Sequence, residues 1–242
     1  MSIDDSCVLM CIKLSYQVYK DGPPLYSGGD VCIRGLYDGQ AMIPQNPDGK
    51  VIVSFRGTES LMDLVIGLMR RKVDFPYLPG TKVHAGFFLQ YTHLRNQLMR
   101  HLTKYHVGPL YVTGHSLGGA LATMFAADFA VKYPETAVTC YTFGTPRVGD
   151  AQFAEAVTNI PNVSISRINN VDDIITEYPW RGFVHTVGVL NLTVGGLRWY
   201  NIRTRHSLKT MLEAFTSRPT GEMDLGSNKK EGRRFRICSM FC

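Results

Sequence analysis

Apolar residues recur along this chain in two rhythms, one helical and one extended. From Asp4 to Tyr19 they fall at helical spacing, with Cys7, Met10, Cys11, Leu14 and Val18 on one side, and Gly22-Pro23-Pro24 stops the pattern. Short strand-like runs follow at 31–34 and 40–43, then a turn at Asn46-Pro47-Asp48-Gly49 and a clear β-run at 50–55. A second amphipathic helix is predicted over 86–105, with Phe87, Leu94, Leu98 and Leu102 as its buried stripe. Further strands are predicted at 136–143 and 163–168. The apolar stretch 184–192 reads as a buried strand or a hairpin with 194–200. A last helix is predicted over 206–215, with Leu208, Met211, Leu212 and Phe215 on one side. Strands alternating with helices predict a largely parallel sheet covered on both faces, hence an α/β fold. No internal repeat or linker divides residues 1–225, which read as one domain.

The middle of the chain carries the sharpest change of pattern. The run Leu110 to Val112 breaks into Thr113-Gly114-His115-Ser116-Leu117-Gly118-Gly119 and then into helix formers reaching Tyr133. G-x-S-x-G between a strand and a helix is the context of a nucleophile elbow, which lifts Ser116 out at a tight turn. Gly114 and Gly118 let the strand and helix close on each other. The helix start aims unpaired N–H groups and positive dipole density at the space above the strand ends.

Composition narrows the classes. At 242 residues the chain can bury a substantial core, and 45% hydrophobic content is ordinary for a globular protein. No apolar run approaches the ~20 residues that span a bilayer. Met1-Ser2-Ile3-Asp4-Asp5 is acidic where a signal peptide is basic, so the expectation is an intracellular protein. Six scattered cysteines lack metal-site spacing and read as free, buried thiols. Five basic residues against Glu231 place +4 of the formal +6 charge in the final stretch, so the body shows no nucleic-acid-binding face. No dinucleotide or Walker fingerprint is present, and no cofactor or metal is expected.

A serine hydroxyl is a weak nucleophile until a base accepts its proton and an acid orients that base. In α/β hydrolases the order along the chain is serine, acid, histidine. Of seven histidines only His185 and His206 lie beyond Ser116. His185 reads as a satisfied strand histidine, whereas His206 stands at a loop-to-helix junction from which a ring can reach another loop. The acid belongs on a loop just past a strand end, where Asp172 and Asp173 follow the 163–168 strand. Asp150 is a third candidate but also reads as the N-cap of a helix over 151–157.

Five ordered pieces make the chain resemble the class 3 lipase family, which contains the fungal triacylglycerol lipases. They are Val53-Ser54-Phe55-Arg56-Gly57-Thr58, Thr81-Lys82-Val83-His84-Ala85-Gly86-Phe87, Gly114-His115-Ser116-Leu117-Gly118-Gly119, Tyr141 to Gly149, and Asn170-Val171-Asp172-Asp173-Ile174. The resemblance covers roughly residues 30 to 210. It implies an α/β-hydrolase fold and hydrolysis of lipid carboxylic esters through an acyl-enzyme. It selects Asp173 as the acid, because the family's aspartate precedes a β-branched pair, and it fits His206 as the base. Two oxyanion-hole donors carry over as the backbone N–H groups of Thr58 and Leu117, while Arg56 reads as a structural ion-pair partner.

The resemblance also implies a lid in the apolar segment Glu59 to Lys72, which otherwise reads as an ordinary core helix; Leu64 stands where the fungal lid carries a tryptophan. Two other readings remain open: a catalytically silent lipase-like scaffold and a soluble non-lipid carboxylesterase. Residues 226–242 interleave Lys229, Lys230, Arg233, Arg234 and Arg236 with Phe235, Ile237, Met240 and Phe241. They read as a disordered basic tail, either simply solvated or drawn to an anionic lipid surface.

Overall fold

Short apolar runs separated by amphipathic helices satisfy their backbone by lying side by side, with helices over both faces. The computed structural model of the chain describes residues 4–19, 31–35, 39–44, 50–57, 71–105, 108–171, 173–186, 188–192 and 202–217, and it has this arrangement. Its larger sheet runs β1 (Val31–Arg34), β2 (Gln40–Ile43), β3 (Val51–Phe55), β6 (Leu110–His115), β7 (Val138–Phe143), β8 (Val163–Asn170) and β9 (Val189–Leu192), in that spatial order. The first three pair antiparallel, and every pairing from β3 to β9 is parallel. A small antiparallel sheet joins β4 (Lys72–Asp74) to β5 (Lys82–His84). The fold is an α/β hydrolase with the serine elbow at the middle strand.

Side-chain alternation along the strands divides the core between the two faces. On one face α1 (Asp5–Gln17) lays Cys7, Val8, Cys11 and Ile12 against Phe143, Ile168 and Leu190, together with Leu208, Met211 and Phe215 of α6 (Leu208–Ser217). On the other face α2 (Ala85–Tyr105) and α3 (Leu117–Lys132) pack Phe87, Leu94, Leu98, Leu121 and Phe125 onto Val53, Val112 and Cys140. α3 is buried from Leu117 to Ala130 on every side, as expected of a helix that is apolar all round. The exception in its sequence, Asp128, is held by Arg95 and Tyr91 of α2, with Arg95 Nη2 donating to Oδ1 at 3.0 Å. α4 (Ala151–Thr158) packs against β8 and β5.

Several expectations change in detail. The stretch 184–192 is not one strand: Val184 makes a single bridge to Gly149, and β9 begins only at Val189 and pairs parallel with β8. Gly188, at φ 85°, turns the chain between them. The hairpin partner at 194–200 lies outside the described residues. The last long helix starts at Leu208, so His206 sits in the turn after the short α5 (Ile202–Arg205). Cys7, Cys11 and Cys140 are free and buried as expected, but Cys32 is exposed because its strand lies at the sheet edge. Lys72 belongs to β4 rather than to the apolar segment before it. No described helix is long and apolar enough to cross a membrane.

Candidate active site

β6 delivers its last residue, His115, to the C-terminal edge of the parallel strands, and the chain turns through Ser116 into α3. Ser116 has φ 59° and ψ −125°, the one positive φ outside glycine among the described residues. An L-residue held there stores about 1–3 kcal/mol, and the surroundings must enforce it. The turn closes because Gly114 has no side chain: a Cβ there would lie 2.3 Å from the backbone of Gly118. Ser116 N–H donates to the Phe143 carbonyl at 2.8 Å, pinning the elbow to the end of β7. Leu117 opens α3, so its N–H belongs to the first helical turn, whose donors have no carbonyl within the helix.

β8 runs two residues beyond its predicted end, to Asn170, and the next loop carries Asp173. That carboxylate is buried, and its Oδ1 accepts the Ile175 N–H at 3.0 Å. Its Oδ2 faces Nδ1 of His206 at 2.6 Å. On the other side of the ring, Nε2 of His206 meets Ser116 Oγ at 2.7 Å. A carboxylate only accepts, so it fixes the His206 tautomer with the proton on Nδ1, leaving the Nε2 lone pair to take the serine proton. Ser116, His206 and Asp173 thus form one hydrogen-bonded chain across 90 and 33 residues of sequence separation.

The competing candidates have other partners. His185 lies outside the strands and donates Nε2–H to the Thr176 carbonyl at 2.8 Å. Burial, reinforced by Arg167 and Arg147, holds its pKa well below the usual imidazole value. Asp150 caps α4, accepting Phe153 N–H at 2.9 Å and Lys82 N–H at 3.2 Å. Arg56 Nη1 donates to Gln40 Oε1 at 3.1 Å, and its guanidinium stands 5.9 Å from the centre of the Tyr19 ring. Thr58, Asp172 and residues 59–70 lie outside the described residues; Gly57, just before Thr58, is buried beside the elbow. Among the described residues no group of three or more His, Cys, Asp or Glu side chains is placed to hold a metal ion.

Three residues that the sequence reading passes over hold the histidine loop. His115 Nε2 lies 2.7 Å from the His206 carbonyl, and Tyr19 Oη lies 2.9 Å from His115 Nδ1. Asn170 Nδ2 donates to the Arg205 carbonyl at 3.0 Å. The sequence signal for this is the position of His115 beside Ser116 and of Asn170 three residues before Asp173.

Comparison with known proteins follows the same residues. The family model described as lipase (class 3) matches residues 52–183, more than half of the chain, a span that includes Ser116 and Asp173 and ends before His206. A lipase of Rhizomucor miehei is 36% identical over 160 residues, 62% of this chain and 44% of that protein. The chloroplastic phospholipase A(1) DAD1 of Arabidopsis thaliana is 33% identical over 150 residues, 53% of this chain and 33% of that protein. The chain therefore spans less than half the length of these relatives. A structure of Rhizomucor miehei triacylglyceride lipase superposes with a TM-score of 0.64 at 26% identity, covering 78% of each chain. With its serine elbow, its parallel sheet and a family match over more than half its length, the chain belongs to the class 3 lipase family.

Proposed function

We propose that the protein hydrolyses carboxylic ester bonds of lipids, acylglycerols or phospholipids, through an acyl-enzyme on Ser116. The observation that carries this reading is the continuous hydrogen-bond chain Ser116–His206–Asp173, at 2.7 and 2.6 Å, mounted on a strained elbow. Ser116 Oγ attacks the ester carbonyl carbon as its proton passes to His206 Nε2, and the Asp173 carboxylate stabilises the imidazolium that forms. The carbonyl oxygen becomes an oxyanion facing the N–H groups of Leu117 and Thr58, each donor contributing ~3 kcal/mol when well aimed. Collapse expels the alkoxide, which takes the proton from His206 and leaves as the alcohol. A water molecule, deprotonated by the same nitrogen, then attacks the acyl-serine and releases the fatty acid. No step asks for a metal or an organic cofactor.

The lipid assignment rests on family membership and on relatives whose names are lipase and phospholipase A1. Ser116 is buried in the elbow, and the access of an ester to its Oγ depends on the chain around it. The apolar segment beginning at Glu59, shortened to end before Lys72, is the lid in this reading. The basic segment 226–242 supplies contact with an anionic lipid surface. Both assignments rest on sequence.

Fatty-acid release from emulsified triacylglycerol, diacylglycerol and phosphatidylcholine, measured side by side, tests the proposal. At least one lipid is turned over ~10³-fold or more above the Ser116→Ala variant. Turnover of dispersed short esters with none of the lipids contradicts the lipid assignment, and no turnover of either makes the chain a silent scaffold.

A further inference from the structure

We propose that Tyr19 and His115 are positioning residues for His206, acting as a directed hydrogen-bond relay that fixes the histidine's backbone from behind the elbow. The inference rests on the reading of Ser116, His206 and Asp173 as the hydrolytic unit and extends it to residues that touch no substrate.

His206 occupies a turn between two helices, α5 of four residues and α6, where backbone carbonyls at the end of α5 have no helical partner. Two of them are held from the sheet. Asn170, the last residue of β8, donates to the Arg205 carbonyl, and His115, the last residue of β6, pairs with the His206 carbonyl. Those are the two strands whose following loops present Asp173 and Ser116. Each strand therefore holds the histidine turn twice, once at the His206 ring through a residue just beyond the strand and once at the backbone, β8 at Arg205 and β6 at His206.

The direction of the relay follows from its ends. A carbonyl oxygen accepts only, so His115 carries its proton on Nε2. The ring is 7% exposed and stands 4.6 Å from the His206 ring, centre to centre, and burial, then the neighbouring imidazole, hold it in the neutral form. A neutral ring protonated on Nε2 has a lone pair on Nδ1, which accepts a hydrogen bond from the Tyr19 hydroxyl. The His206 carbonyl sets the tautomer, and Tyr19 holds the ring at that carbonyl from its other nitrogen. Without the Tyr19 hydroxyl the ring loses one of its two anchors, and its bond to the His206 carbonyl loosens. Tyr19 also presses on the opposite wall of the site. A Cβ at Gly57 would lie 2.0 Å from Tyr19 Oη and 2.6 Å from the His115 carbonyl oxygen. The residue after Gly57 is Thr58, the oxyanion donor of the proposed reaction, so one hydroxyl abuts both the base's support and the loop of the oxyanion hole.

Displacing a catalytic group by about 1 Å costs up to ~10²-fold in rate without changing substrate contacts, and the test uses that split. On a soluble ester with the full chain, Tyr19→Phe lowers kcat ~5-fold and His115→Leu ~100-fold, each with KM within ~2-fold of wild type. His115→Gln, whose amide N–H reaches towards the same carbonyl, recovers ~10-fold over His115→Leu. In the His115→Leu background, Tyr19→Phe changes kcat less than ~2-fold, because its effect passes through the imidazole. Unchanged kcat in Tyr19→Phe and His115→Leu, with only Tm lowered, overturns the proposal, as does full additivity in the double variant. A measurement independent of both turnover and the stability of His115→Leu is the ¹⁵N NMR signature of the His115 ring. Wild type and Tyr19→Phe both show the Nε2–H tautomer, and in Tyr19→Phe the Nδ1 resonance moves towards that of a ring nitrogen that accepts no hydrogen bond; an Nδ1–H ring in wild type contradicts the relay. A wild type that hydrolyses no ester overturns the hydrolytic reading, while the tautomer measurement still decides the relay.

Discussion

Ser116 sits in a backbone conformation that a serine adopts only under constraint, with φ 59° and its N–H and C=O both engaged at the elbow. Glycine adopts that conformation without penalty, so Ser116→Gly raises stability by about 1 kcal/mol in urea denaturation while abolishing hydrolysis. Ser116→Ala keeps the strain and shows no such gain. Equal stabilities for the two variants contradict stored strain at the elbow. In the reaction, Ser116→Ala and His206→Ala each lower kcat by several orders of magnitude, and the double variant adds little, because the groups act as one unit. Multiplicative losses in the double variant contradict that. Ser116 and Asp173 were legible in the sequence because a fixed local pattern surrounds each. His206 stands apart from His185 in the sequence by its junction between loop and helix, and the two rings have different partners. Tyr19 and His115 were invisible as a pair: 96 residues separate them, and no spacing rule links the end of a helix to the residue before a nucleophile.

At the scale of elements, the elbow is held by α3, which is buried along almost its whole length and carries one carboxylate into that environment. Asp128 is 3% exposed and paired with Arg95 and Tyr91, and the Arg95 guanidinium stacks 3.7 Å over the Tyr77 ring centre. The pair locks α2 to α3 at a distance from the serine. Asp128→Ala leaves the half-buried Arg95 guanidinium and the buried Tyr91 hydroxyl without their acceptor and costs about 2–3 kcal/mol, read as a lower urea midpoint, with kcat of the remaining folded protein unchanged. A loss below about 1 kcal/mol shows that the pair is relieved by water. The order of the longer helices and strands could be read from periodicity, with most boundaries within a few residues, but β4, β5 and α5 are too short to show a period and were not read. At 184–192 apolar residues continue through a glycine turn, so periodicity cannot show that only the last four form β9. The length of β8 was also hidden, because Asn169 and Asn170 are poor strand formers that tertiary pairing with β9 makes extended.

Over the whole molecule, the fold holds two histidines in the neutral form, buried His115 beside Ser116 and half-buried His185 against the Thr176 carbonyl, and this couples stability to pH. His115 and His185 both titrate well below the usual 6.5 in the folded chain, chiefly through burial. An unfolded chain protonates them as pH falls through about 6.5 and the folded chain does not, so the unfolded state binds more protons and stability declines on acidification. From pH 7.5 to 5.5 the two together remove about 2–3 kcal/mol, each contributing close to 1.4 kcal/mol. Urea midpoints at the two pH values check this, and a flat profile contradicts two neutral rings. The α/β arrangement was legible because strand and helix periods alternate. Thr58, proposed as an oxyanion donor, and the segments expected to meet lipid lie outside the described residues and rest on sequence pattern.

If His206 activates Ser116 as a nucleophile, it controls the rate at which a fluorophosphonate modifies the serine. One adduct per chain is expected, mapped by mass spectrometry to Ser116, absent in Ser116→Ala, slowed by ~10³-fold or more in His206→Ala and unaffected by His185→Ala. Modification that proceeds at the wild-type rate in His206→Ala, or that is lost in His185→Ala instead, contradicts that activation.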